Sequence, residues 1–355
     1  MSSDIVAATQ DYETWLGAHI PLVDKDIELK HRELASSSMR FLRGSYYWWL
    51  LRFSEQLPEL LDRPVVPAVG DLHVENFGTW RDHSDTRRWG VNDLDELAWG
   101  SPAIDLVRLV TSASLIDGLS LTVKALARLV VDVWSSATPG SATLVKTQAH
   151  LQALLPAAPS VKRYYEALAT GDEDEGVPAQ VAAAAQHSVH PAGWKPAWRP
   201  RSAGTGSLGH RRVVAVGRDA RNVWHAREAK QLGPASVTWL TTGSHLPVLD
   251  EMLYGRVQGA MLGPDPSRRV AGWQIRRLAP DVVRVELAGL RKRDVERVLT
   301  SMAEAVVAVH GTDRDALEAA RKRSITAAEL RQAVETMRAD TLSAYGAWRA
   351  SRTTR

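Results

Sequence analysis

Between Val69 and Glu96 the chain crowds carboxylates and amides into two short runs. The first is Val69-Gly-Asp-Leu-His-Val-Glu-Asn-Phe-Gly78, the second Val91-Asn-Asp-Leu-Asp-Glu96, and Asp105 lies shortly beyond them. The chemistry such a set supports is phosphoryl transfer, which needs a carboxylate beside the attacking hydroxyl and oxygen ligands that hold Mg²⁺ against phosphates. Mg²⁺ takes carboxylate, amide and water oxygens, usually with only one or two protein carboxylates. Asp71 and Asn76 stand in an Asp-x₄-Asn spacing, so one loop can present a base and a metal-facing amide in the same direction. Asp93, at the end of the next apolar run, supplies a metal carboxylate, and Asp95 and Glu96 add negative charge. Asp and Asn in loops commonly form turns. Two acidic motifs in one strand–loop–strand unit favour a site over turn chemistry.

These residues carry a resemblance. Gly70-Asp-Leu-His-Val-Glu-Asn76 resembles the Gly-Asp-Leu-His-x-x-Asn loop of aminoglycoside phosphotransferases and related small-molecule kinases, and Asp93-Leu-Asp95 resembles their Asp-x-Glu metal motif. Asp105 falls where those enzymes carry a further Asp, at the start of a helix that braces the loop. More narrowly, Phe41-Leu-Arg-Gly44, Gly70–Gly78, Val91–Glu96 and Asp105–Leu109 resemble the uncharacterised bacterial domain-of-unknown-function family 2252. The resemblance implies ATP and Mg²⁺ as cofactors. It implies Asp71 as the group that orients or deprotonates an acceptor hydroxyl, Asn76 and Asp93 as metal ligands, and Asp95 as an auxiliary. His73 reads as a loop brace. Arg43 and Gly44 either reach a phosphate or hold the loop through a salt bridge.

A kinase also needs a flexible glycine loop over the phosphates and a cation on a neighbouring strand. Ala203-Gly-Thr-Gly-Ser-Leu-Gly209 precedes a β-type run at Arg211–Val216, so Gly204, Gly206, Ser207 and Gly209 are candidates to turn backbone N–H groups toward phosphate. The second run, Asn222–Ala229, leads to Lys230, with Arg227 as the rival cation. Three positions apart on a strand, the two side chains leave opposite faces. Glu251, on the next expected helix, is a pairing partner for either, or an exposed helix-start acid. The glycine segment comes after the acidic loop, the reverse of the usual kinase order. The apolar helix Val295–Val309, ending His310-Gly311, looks like the helix that normally leads into the catalytic loop. That order implies a circular permutation of a kinase-like fold.

The positioning elements are read as a two-lobed α+β chain: a helical lobe over residues 1–190, a small β-rich lobe over 200–280, and returning helices over 281–355. Strands are expected at Val65–Val69, Trp89–Val91 and Val270–Leu278, a helix near Leu249–Met261, and helix throughout beyond Pro280. The 13 Trp against 3 Phe promise large buried aromatic surfaces. The absence of Cys excludes disulfides and thiolate chemistry. The N-terminal residues lack a secretory pattern and no apolar run approaches a membrane span, so a cytoplasmic protein with no membrane partner is expected. The partners that the resemblance implies are a nucleotide and a hydroxyl acceptor of unspecified identity; Lys and Arg exceed Asp and Glu by only 44 to 41, an excess too small to point to nucleic acid. Two other readings fit. A pseudokinase or nucleotide-binding interaction protein would keep the same motifs without transfer. A dinuclear metallophosphatase would also open on Asp-x-His, but it needs further His ligand motifs, and His245 stands alone.

Overall fold

The computed structural model describes residues 4–82, 84–189, 193–202, 208–240, 246–262 and 267–353. Its architecture is α+β, with small sheets set among many helices. The first hundred residues hold helices Ile5–Gly17, Asp24–Ser36, Ser38–Gly44 and Tyr46–Gln56, then strands Val66–Ala68 (β1), Phe77–Arg81 (β2), Arg87–Val91 (β3) and Ala98–Gly100 (β4). Capping explains several helix starts: Asp4 accepts from Val6 and Ala7 N–H, Ser37 from Arg40, and Ser101 from Ala103 ahead of a proline at the helix start. β1 pairs with β4, while β2, β3 and Thr143–Leu144 (β5) form a second small sheet.

The largest core packs helix Lys292–His310 against Val123–Ser136 and β3, and the long C-terminal helix Ala327–Thr353 against Val123–Ser136 and Pro102–Ser114. Val295, Val298, Leu299, Met302, Val306 and Val309 all point into it, the helical repeat read from the sequence. Trp49, Trp89, Trp134 and Trp348 are fully buried there, which is where much of the tryptophan goes.

A five-stranded antiparallel sheet lies in the order Ala197–Pro200 (β6), Arg212–Arg218 (β7), Trp224–Gln231 (β8), Trp273–Leu278 (β10), Ser267–Val270 (β9). Alternation divides its faces. Val213, Ala215, Ala229, Trp273 and Ile275 pack under helix Ala179–His187. Val214, Val216, Ala226 and Leu278 pack with Tyr165 of helix Val161–Leu168. That second face also carries Arg212, Glu228, Lys230 and Arg276: Arg212 pairs across to Lys230, and Arg276 to Glu228.

Three expectations are corrected. The Val270–Leu278 strand is two strands, broken by a turn where Ala271 and Gly272 have positive φ. The turn between the two β-type runs, expected from the sequence at Gly217–Arg218–Asp219, lies further on: Gly217 and Arg218 are still paired in the ladder, and the turn is built on Asp219, whose carboxylate accepts from Arg221 and Val223 N–H, with Asn222 at φ 66. Helix does not run from Pro280: Asp281–Val283 lies beside β2, where Thr79 N–H donates to Val283 O at 2.9 Å, and helix begins only at Lys292. Among the described residues no helix is long and apolar enough to cross a membrane.

Candidate functional site

The loop after β1 is fixed by a carboxylate from another element. Asp105 accepts from Val69 N–H at 2.7 Å and from Gly70 N–H at 2.8 Å. His310, at the end of its helix, donates to the same carboxylate from Nε2 at 2.8 Å. The tautomer is set by Trp134, whose indole N–H donates to His310 Nδ1 at 2.9 Å and leaves the ring proton on Nε2. Gly70 has φ +84, and a Cβ there would come within 2.7 Å of Glu96 O and 2.9 Å of Tyr46 Oη. Glycine is required at this position both by backbone conformation and by space.

Asp71 comes next. Arg108, fully buried, donates from Nε to Asp71 Oδ1 at 2.8 Å, adds a second bond to the same oxygen from Nη2, and also donates to Leu42 O. Its guanidinium lies 4.8 Å from the Tyr46 ring centre and 5.0 Å from that of Trp49. Burial pushes the Asp71 carboxyl up, with the charge and hydrogen bonds of Arg108 pulling against it. Asn76 donates from Nδ2 to Asp71 O, which leaves its Oδ1 as the acceptor of the amide. Between them His73 Nδ1 accepts from Glu75 N–H, the bracing role expected for it. Arg43 is bound to Glu75, as is Arg284, so it holds the loop through a salt bridge.

The β2–β3 ladder brings the second acidic run alongside. Phe77 pairs with Val91, and Asn92 N–H donates to Asn76 O at 3.0 Å, so Asp93 starts its loop beside Asn76. Asp95 N–H closes back on Asp93 Oδ1. Asp95 Oδ2 is paired with Lys230, while Asp95 Oδ1 is buried without a hydrogen-bond partner. Burial and the neighbouring Asp95 raise Asp93. Burial would also raise Asp95, but the Lys230 charge and hydrogen bond overcome it and hold that carboxyl below the usual range. Glu96 accepts from Ser236 N–H at 2.7 Å and from its hydroxyl at 2.8 Å, and burial pushes its carboxyl up to about 8 against those bonds.

The five-stranded sheet forms the opposite wall. Glu228, wholly buried, accepts from Arg212 and Arg276 at 2.7 Å each and lies 3.1 Å from Arg201. Burial alone would raise it, and the charges of Arg276, Arg212 and Arg201 outweigh that and depress the carboxyl far below its ordinary range. Between the walls is a cavity of about 470 Å³, lined by Asp71, Asn76, Asp93, Asp95 and Lys230 among others.

Other expected residues lie elsewhere. Arg227 leaves the opposite face of β8 and is occupied by Ser188, donating to its hydroxyl at 2.6 Å and its carbonyl at 2.7 Å. Gly209, at φ +98, packs on Ile27 and accepts from Val23 N–H, so it serves a junction with the second helix. Gly204, Gly206, Ser207 and His245 lie outside the described residues. Glu251 is exposed, and the carboxylate on Lys230 is that of Asp95.

Sequence reasoning missed Arg108, Glu228 and Arg276, and also Tyr12, Lys30 and Tyr47, which line the cavity from the N-terminal helices. Period-two alternation counted back from Lys230 would have found Glu228. Nothing local marks Lys30.

Asp95 Oδ1, a buried oxygen with no partner beside Asp93 and Asn76, fits an oxygen-seeking cation such as Mg²⁺. Among the described residues no group of three or more His, Asp or Glu is arranged to hold a metal by itself. Residues 22–137 match the model of a family described as uncharacterised protein conserved in bacteria (DUF2252). No curated protein and no solved structure matches the chain.

Proposed function

We propose that the protein is an ATP–Mg²⁺-dependent phosphotransferase acting on a hydroxyl acceptor. The observation that carries this reading is the convergence on one cavity of Asp71, Asn76, Asp93 and Asp95, from two neighbouring acidic runs, with Lys230, which the sequence places far beyond them. Asn76 Oδ1, Asp93 and Asp95 would hold Mg²⁺, which when bound supplies charge neutralisation across the phosphates. The small donor set suits a metal completed by phosphate and water, and not a dinuclear centre rich in His. Lys230 and the arginines around Glu228 give the sheet wall the positive charge that a triphosphate needs. Asp71, held at Oδ1 by Arg108, keeps Oδ2 to orient the acceptor hydroxyl and take its proton.

A permuted kinase-like arrangement is supported by His310. It ends a buried helix, yet it meets Asp105, 205 positions away, at the carboxylate that holds Val69 and Gly70. Helix end and catalytic loop therefore adjoin in space although the chain does not connect them directly.

A second reading, a nucleotide-binding protein without transfer, is favoured by one observation: Asp71 is tied to a buried guanidinium that stabilises it as a passive carboxylate. Thermal-shift titration with ATP and Mg²⁺ tests the site. Stabilisation that needs the metal, and is lost in Asp93→Ala and Lys230→Ala, is expected; no shift at millimolar ATP would remove both readings. Transfer of labelled γ-phosphate then separates the two, with loss in Asp71→Asn expected for the enzyme.

A further inference from the structure

Lys30, on helix Asp24–Ser36, is 4% exposed and lines the cavity. Each other Lys or Arg that lines it has a carboxylate within ion-pair distance: Asp95 for Lys230, Glu75 or Glu228 for most of the arginines, and Asp85 for Arg277. Lys30 has none among the described residues. The acid whose charge acts most on it, Glu13 of the first helix, is engaged by His31 at 2.9 and 3.0 Å. What Lys30 has is an aromatic platform. Its ammonium stands 6.0 Å from the Tyr12 ring centre and 5.8 Å from that of Tyr47, two rings stacked 4.0 Å apart. The phenol oxygens face other partners, Ser236 for Tyr12 and Thr9 for Tyr47.

A buried ammonium without a counter-ion is costly, and cation–π contact at the edge of its range offsets only part of that cost. Such a group persists where a ligand completes it. We infer that Lys30 is the docking point for an anionic group, carboxylate or phosphate, on the acceptor substrate. The inference rests on the phosphotransferase reading and narrows its substrate class to hydroxyl compounds that carry a negative charge. The position of Lys30 assigns the anion to the acceptor and not to the nucleotide. The acidic charges that reach it are those of Glu13 and Asp71, whereas Asp93 and Asp95 act on the sheet wall. Burial lowers the Lys30 ammonium, and an arriving anion would restore its proton affinity.

The test uses the full chain and three matched probes: glycerol, glycerate and glycerol 3-phosphate. Each is titrated by calorimetry and thermal shift, with and without a non-hydrolysable ATP analogue and Mg²⁺. The expected result is that at least one charged probe binds the wild type while glycerol does not. Lys30→Met should weaken that probe by about ten- to a hundred-fold, the value of one charge-assisted contact, and Lys30→Arg should keep most of the affinity. Without probe, Lys30→Met should melt no lower than wild type, because it removes an unpaired buried charge; a lysine kept for structure would give the opposite. The inference is overturned if neither charged probe binds, if Lys30→Met binds as wild type does, or if Lys30→Met loses the nucleotide response while keeping the probe. A Lys30-dependent probe response with no nucleotide response in the wild type would uphold the anion site and remove the phosphotransferase reading.

Discussion

Replacing Asp105 by Asn isolates the joint that sets the position of Asp71. Oδ2 accepts from Val69 N–H and from His310 Nε2–H, while Oδ1 accepts from Gly70 N–H. An Asn offers one accepting oxygen. In its better orientation that oxygen takes the Oδ2 place and keeps two bonds, and the new NH₂ then faces the Gly70 N–H, donor against donor. His310 cannot relieve the reverse orientation, because Trp134 holds its proton on Nε2. The loss is therefore one hydrogen bond to a charged acceptor, about 1.5–3 kcal/mol, plus a buried N–H left without a partner, about 1–3 kcal/mol. The sum is about 2.5–6 kcal/mol at a site with no exposure. Urea denaturation should show the midpoint falling by roughly 0.8–2 M at a slope near 3 kcal/mol/M. A change below about 1 kcal/mol would refute the reasoning, since it would mean that the loop is held by something other than this carboxylate.

Glu228→Gln should cost about 3–5 kcal/mol at pH 7, because it leaves three arginines around a neutral amide. The Glu228 carboxyl is depressed in the folded protein, so its contribution is complete above the unfolded value near 4.3 and is lost as pH falls toward the folded one. The stability gap between variant and wild type should accordingly shrink below about pH 4 in denaturation series; a gap independent of pH would contradict the assignment. Gly70→Ala combines positive φ with overlap onto Glu96 O and should cost about 3 kcal/mol by the same urea assay, whereas Gly118→Ala, strained in φ but with open space, should cost about 1–2 kcal/mol. Equal losses at the two glycines would remove the steric part of the argument.

The acidic half of the site is readable from the sequence because its residues are close together and each sits at the end of a short apolar run. The choice between Lys230 and Arg227 is not readable from spacing, which says only that the two diverge. The ladder shows where each goes: Lys230 shares the cavity-facing side with Arg212 and Glu228, while Arg227 turns to Ser188. Lys30 stays hidden because its helix, DKDIELKHRELAS, is charged on most sides and patterns like a surface helix. Its ammonium meets the rings of Tyr12 and Tyr47, which no local rule connects to it. The segment after Pro280 departs from the expected helix for a related reason. Asp281 and Val283 give their carbonyls to Thr79, and that tertiary pairing wins over local helical propensity.

The most direct measurement is a crystal structure of the protein with a non-hydrolysable ATP analogue and Mn²⁺ in place of Mg²⁺, read at the manganese absorption edge. The anomalous peak should lie in contact with Asp93 and with Asn76 Oδ1 or Asp95 Oδ1, with the triphosphate between it and Lys230. A peak elsewhere, or a nucleotide bound away from these residues, would contradict the proposal that they form one nucleotide–metal site.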